Sequence, residues 1–207
     1  MHRRGALLDI ETELWRQGYA AVAGVDEAGR GPLAGPVVAA AVVFSPTLSK
    51  TLGIQDSKTL SPKKRQALVP VIREHALAVG VGVVEHDLID RINILQASLE
   101  AMRRALAEIA LPIDYVLIDG NRAPAVAQPC RTIVKGDALS LSIAAASIIA
   151  KVTRDDLMLN WHEKFPQYDF ARHKGYPTKQ HLEAIRRFGL SPIHRRSFHP
   201  KTLSVPC

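Results

Sequence analysis

Ala23-Gly24-Val25-Asp26-Glu27-Ala28-Gly29-Arg30-Gly31-Pro32 joins the end of an apolar strand to two adjacent carboxylates and a glycine-flanked arginine. Adjacent acids at the end of a buried strand repel each other and are costly to desolvate unless a cation neutralises them. Glycines on both sides of Arg30 remove Cβ atoms and expose backbone N–H groups, which suits close approach to a phosphate backbone. A site for a hard metal thus lies beside a site for a polyanion, and that pairing points to phosphodiester chemistry.

Working outward from this stretch, residues 20–26 read as a strand. Residues 37–44, nearly all Val and Ala, read as a second strand buried on both faces. Upstream, residues 6–17 form an amphipathic helix with Leu7, Leu8, Leu14 and Trp15 as its apolar positions and Gly18 as its stop. Downstream, Ser61-Pro62 has the chemistry of an N-cap and first helical residue and opens a helix to about His75. Residues 76–85 form a third strand, whose Gly80 and Gly82 indicate a bend or close packing. Ile94, Leu95, Leu99, Met102, Leu106 and Ile109 recur at helical spacing and predict a helix over 93–109. Residues 115–118 form a short strand delivering Asp119, and 132–134 another delivering Asp137. A long helix follows from 139 to about 165, rich in small residues around Ala144-Ala145-Ala146. Thr178 caps a last helix that Gly189 stops. Strands in succession followed by helix, strand, strand and helix argue for an α/β fold around one sheet.

A chain of 207 residues, 47% hydrophobic and 23% charged, is normally one domain with a sizeable core. Its formal net charge is +7. A basic protein that also presents a tight acidic cluster is explained by nucleic acid plus a divalent metal; a basic surface without a partner is the plainer alternative. Cys130 and Cys207 have no zinc or disulfide spacing, which fits a reducing cytoplasm. The N-terminal stretch lacks the apolar core of a signal peptide, and the most apolar run, 36–44, is well short of the roughly 20 residues that span a bilayer. A cytoplasmic monomer is the expectation.

Asp26, Glu27, Asp119 and Asp137 all fall at, or just beyond, the C-terminal end of an expected strand. If the 20–26 and 115–119 strands lie side by side, these ends converge on one rim of the sheet, where ligands bind in open α/β folds. Oxygen-only ligands without Cys or His select Mg²⁺ or Mn²⁺ over Zn²⁺. Two such ions about 4 Å apart would flank a scissile phosphate. Taken singly, Asp119-Gly120 is also an ordinary turn and Asp137 also an ordinary N-cap; the buried Asp26-Glu27 pair has the weakest plain explanation.

These residues resemble the signature of bacterial ribonuclease HII, among the type 2 ribonucleases H. Asp26-Glu27-Ala28-Gly29-Arg30-Gly31 is followed, in the family's order, by Asp56-Ser57-Lys58, Asp119-Gly120-Asn121, Lys135-Gly136-Asp137, the stretch from Ala144 to Asp155, His173-Lys174-Gly175-Tyr176-Pro177-Thr178 and Arg195-Arg196-Ser197-Phe198. The resemblance runs from about Leu14 to Phe198. It implies one ribonuclease H-like catalytic domain over 1–207: a central five-stranded mixed β-sheet flanked by helices, with a helical extension over about 1–18 and a tail over about 190–207. It also implies an endonuclease that cleaves RNA in RNA–DNA hybrids and cuts 5′ to ribonucleotides embedded in duplex DNA, as in ribonucleotide excision during DNA replication and repair. By motif, Asp26, Glu27 and Asp119 are the metal ligands, with Asp137 the fourth carboxylate. Gly29, Arg30 and Gly31 would contact the ribose 2′-hydroxyl, which distinguishes RNA from DNA. Tyr176 would stack on the following deoxyribose, although a Tyr before Pro also serves as a packed turn residue. Ser57 and Lys58 would lie near the scissile phosphate, where Lys58 alone would read as a surface lysine. Asp155, mid-helix, is expected in a salt bridge. The rival readings are another metal-dependent nuclease on the same sheet architecture, which Gly29-Arg30-Gly31 and Tyr176 disfavour, and a non-catalytic hybrid-binding module, in which the acids would be dispensable.

Overall fold

The computed structural model describes residues 7–48, 51–54 and 60–198, so Ser57 and Lys58 lie outside the described residues. Five strands, β1 (Val22–Ala28), β2 (Val37–Phe44), β3 (Ala76–Val84), β4 (Tyr115–Asp119) and β5 (Cys130–Ile133), form one mixed sheet in the order β3-β2-β1-β4-β5. The first three pair antiparallel, whereas β4 and β5 join β1 in parallel. Around the sheet stand α1 (Asp9–Arg16), α2 (Pro62–His75), α3 (His86–Ala107), α4 (Leu141–Lys164), α5 (Phe170–His173) and α6 (Lys179–Phe188). This is the expected five-stranded mixed sheet flanked by helices.

Strand alternation explains why β2 carries no polar residue. Ala39, Ala41 and Val43 face the cluster built with Ala97, Ala101 and Ala105 of α3, while Ala40, Val42 and Phe44 face Ala144, Ala145 and Ile148 of α4. Both helices lie close against the sheet. A Cβ on Gly80 or Gly82 would collide with the backbone of Ala105 or Ala101, and one on Gly24 with the backbone of Ser142 and Ile143. The glycines of β3 therefore mark close packing of α3.

β5 runs over Cys130–Ile133 rather than 132–134 and α5 was not expected; β1 and α3 also differ from the sequence expectation. β1 runs through Asp26 and Glu27 to Ala28, because the backbone ladder to Ala40 and Ala39 of β2 continues whatever the side chains carry. α3 begins earlier, at His86, and bends at Asn93, whose φ is 66°. Asn93 Oδ1 accepts from the N–H groups of Leu95 and Gln96 at 3.0 and 3.1 Å, so the asparagine restarts the helix as a cap.

A third apolar cluster, with Leu33, Met158, Tyr168, Phe170, Ile185 and Ile193, joins the loop after β1 to the C-terminal segment. Backbone hydrogen bonds tie the same parts: Leu33 N–H to Gly175 O at 2.8 Å, Gly35 N–H to Ile193 O at 2.9 Å, and Arg195 N–H to Leu33 O at 2.8 Å. Among the described residues no helix is long and apolar enough to cross a membrane.

Candidate active site

β1 and β4 run parallel with Val25 opposite Ile118, so Asp26 and Asp119 follow side by side at one rim of the sheet. Leu117 packs with Ile143 of α4, and alternation sends Asp119, two residues on, to that same face. Asp26 also faces α4, where the Ser147 side chain hydrogen-bonds its carboxyl group. Asp26 Oδ1 further accepts from the Glu27 N–H at 2.7 Å, and Asp119 Oδ1 from the Gly136 N–H at 2.6 Å. Glu27 turns toward Arg30, whose Nη1 lies 3.2 Å from Oε1.

The acids are held at an electrostatic cost. Burial pushes the Asp26 carboxyl well above the ordinary aspartate value, and the charges of Glu27 and Asp119 push it further. Glu27 is also raised by burial, with Arg30 opposing the shift. Carboxylates in this state gain most from a nearby cation. Among the described residues no three His, Cys, Asp or Glu side chains converge closely enough to grip an ion as they stand. The donor set is nevertheless all oxygen, and its mutual repulsion is what a hard divalent ion would relieve.

These carboxylates open into a cavity of about 460 Å³, also lined by Gly29, Arg30, Gly31, Arg65, Ser147, Lys151 and Tyr176. Two buried arginines hold the glycine-rich loop from beneath. Arg195 donates to the carbonyls of Gly29 at 2.6 Å, Arg30 at 3.0 Å and Gly35 at 2.9 Å, and Arg154 Nε donates to Pro36 O at 2.9 Å. A trans peptide points its N–H opposite its C=O. With the Gly29 and Arg30 carbonyls turned to Arg195, the N–H groups of Arg30 and Gly31 point the other way. Gly29 has φ +100°, and a Cβ there would strike the Arg154 side chain, so glycine is required. Burial lowers Arg154 to about 10 and Arg195 to about 9, which leaves both cationic at neutral pH. Tyr176 is 42% exposed beside Gly31, its ring 3.6 Å from where a Cβ on that glycine would stand, with the Arg154 guanidinium 6.0 Å from its ring centroid.

The structure therefore brings together Asp26, Glu27, Asp119, Gly29, Arg30, Gly31 and Tyr176. Asp137 is not among the residues lining the cavity; it is buried in a 3₁₀ turn (Gly136–Ala138) whose first residue donates its N–H to Asp119. It does not cap α4. Lys135, in the left-handed conformation with φ 58°, turns the chain early, and Ser140 becomes the cap, accepting from Ile143 N–H at 3.3 Å. Asp155 pairs with Lys151 at 2.7 Å. Sequence reasoning did not single out Arg65, Ser147, Lys151, Arg154 or Arg195 individually. The signal for two of them was available, since Ser147 and Lys151 are polar residues four apart in a run, 143–152, that is otherwise small and apolar.

Among protein families, the chain matches Ribonuclease HII over residues 23–201. It is 53% identical over 193 residues to Ribonuclease HII of Acholeplasma laidlawii, covering 93% of this chain and 94% of that one. It is 55% identical over 195 residues to Ribonuclease HII of Geotalea uraniireducens, covering 94% and 90%. Among solved structures, ribonuclease H2 from Pyrococcus horikoshii OT3 superposes with a TM-score of 0.73 at 28% identity, covering 86% of this chain and 93% of that one.

Proposed function

The chain belongs to the ribonuclease HII family, hydrolases acting on RNA in RNA–DNA hybrids, and from that premise we propose which of its residues hold metal, read the substrate and place the cut. The enzyme cuts on the 5′ side of a ribonucleotide embedded in duplex DNA. The P–O3′ bond breaks, the upstream strand keeps a 3′-hydroxyl, and the ribonucleotide keeps a 5′-phosphate. One observation carries this reading: Asp26, Glu27 and Asp119 open into the same cavity as the Arg30 loop and Tyr176.

Asp26, Glu27 and Asp119 would hold Mg²⁺ or Mn²⁺, with Asp137 as the fourth carboxylate behind the turn that fixes Asp119. Two such ions, when bound, supply a water activated toward the phosphorus and neutralise charge on the leaving oxygen. The chain's own residues do the rest. Arg30, Lys151 and Arg65 offer positive charge to the phosphates around the cut. The N–H groups of Arg30 and Gly31 face the position of a ribose 2′-hydroxyl, held there because Arg195 occupies the opposite edge of their peptides. The Tyr176 ring stacks on the sugar that follows, so the enzyme checks a ribose-to-deoxyribose step. Ser57 and Lys58 belong to this surface by motif.

The test is a DNA duplex with one embedded ribonucleotide, incubated with and without Mg²⁺ and mapped at nucleotide resolution. A single cut 5′ to the ribonucleotide is expected with metal only, and Asp119→Asn should lower the rate by at least about a thousandfold, because charge stabilisation at the reacting phosphate is lost. A cut elsewhere, or near-normal cleavage by Asp119→Asn, rejects the assignment. An intact duplex in both arms returns the reading to a hybrid-binding module.

A further inference from the structure

Behind Tyr176, outside the cavity lining, three histidines are packed together: His173, His181 and His194. His173 and His181 stack with ring centroids 4.3 Å apart, and His181 and His194 are fully enclosed. A buried imidazole is costly unless both nitrogens are satisfied, and here the partners fix every tautomer. The Ser191 N–H donates to His194 Nδ1 at 2.8 Å, so Nδ1 carries no proton and Nε2 does. His194 Nε2–H then donates to His181 Nε2 at 3.0 Å. His181 is thereby left with its proton on Nδ1, and that N–H donates to the Tyr176 carbonyl at 2.9 Å. His173 closes the turn from the other side: Gly175 N–H donates to its Nδ1 at 3.2 Å, and its Nε2–H donates to Tyr168 O at 2.7 Å. Three directed hydrogen bonds, all pointing one way, connect Ser191 to the backbone of Tyr176 only while the rings are neutral. Burial lowers both His181 and His194 to about 4, consistent with neutral rings.

An apolar core would fill this space equally well and leave the Tyr176 carbonyl to Thr178 N–H alone, at 2.8 Å. A rigid donor added from beneath fixes the peptide's orientation, and with it the root of a side chain whose ring stands in the open. We propose that His181 and His194 are positioning residues for substrate selection: their relay from Ser191 sets the stance of Tyr176 over the sugar after the ribonucleotide, and thereby the preference for an embedded ribonucleotide over a continuous RNA tract. The proposal rests on the assignment of Tyr176 made above. In a continuous hybrid the following sugar is another ribose, so that substrate is the internal control.

The experiment compares kcat/KM on a duplex with one ribonucleotide and on a uniform RNA–DNA hybrid. His181→Ala removes the donor and should lower the single-ribonucleotide value roughly three- to tenfold, the worth of one directed hydrogen bond, mainly through KM. The hybrid value should change less than about twofold. His181→Asn places an N–H where Nδ1–H stood and should recover most of the loss. Combined with Tyr176→Ala, the His181→Ala change should cost nothing further. Equal losses on both substrates, no rescue by Asn, or additive losses with Tyr176→Ala would make the histidines structural only. If instead Tyr176→Ala leaves substrate preference intact, the stacking assignment itself fails, a distinct result. Nitrogen-15 NMR of the unmodified protein is a check independent of any variant's folding: protons on Nδ1 of His181 and Nε2 of His194 are required, and the reverse pair overturns the relay.

Discussion

At the scale of single residues, Asp26 is a strained charge among the described residues. It is buried, and Glu27 and Asp119 repel it, so its ionised form is disfavoured in the folded state relative to the unfolded chain. Asp26→Asn removes that charge while its Oδ1 still accepts from the Glu27 N–H. Cleavage should be lost, yet calorimetry in chelator should show Tm higher by roughly 2–6 °C. With saturating Mn²⁺ the difference should shrink or reverse, because the wild-type acids then have their counter-charge. A lower Tm for the variant in chelator would refute the electrostatic account. The sequence showed this site because two acids after an apolar strand have few structural uses. It hid Arg154 and Arg195, because a lone arginine in a sequence does not reveal that it is buried, or which carbonyls it takes. Asp137 was read as a candidate acid from its place just beyond an expected strand and from its motif; the left-handed Lys135 that carries it into a buried turn leaves no mark in residue type.

At the scale of elements, those with chemical end-marks were read closely. α2 starts at Pro62 after Ser61, and α6 runs from Lys179 after Thr178 to Phe188 before Gly189, because caps and stops act locally. The first part of α3 was missed because its polar residues match no apolar stripe and the bend at Asn93 resets the periodicity. α5 and the 3₁₀ turn before it (Pro166–Tyr168) were too short to show a period. These short pieces, with α6 and Ser191, build the histidine cluster, whose titration has a definite sign. Above pH 6.5 the imidazoles are neutral in folded and unfolded chains alike. Between 6.5 and about 4 the unfolded chain binds protons that buried His181 and His194 refuse, so stability falls as pH drops through that window. Asp26 and Glu27, raised in the fold, act in the opposite sense, since the folded protein takes up their protons first. Subtraction isolates the histidine part: His194→Gln should lose stability less steeply than wild type in denaturant titrations from pH 7 to 4.5. Parallel curves would remove the depressed imidazole values from the account.

At the scale of the whole molecule, a net charge of +7 coexists with the acid cluster because cations stand beside the acids: Arg30 pairs with Glu27 at 3.2 Å, and Arg65 and Lys151 line the same cavity. Contact with several phosphates releases counterions, so binding of a hybrid by the Asp26→Asn protein should weaken by about a hundredfold or more between 50 and 200 mM salt. Fluorescence anisotropy measures this directly, and a flat response would mean that few phosphates are touched. The grip of Arg195 on the Arg30 carbonyl spans 165 positions of chain. During vectorial synthesis on the ribosome, Asp26, Glu27 and Asp119 therefore emerge long before the residue that braces the loop beside them. An unfinished polypeptide carries the acids without the brace beneath the loop that we propose reads the sugar, and that brace forms only after Arg195 has left the ribosome.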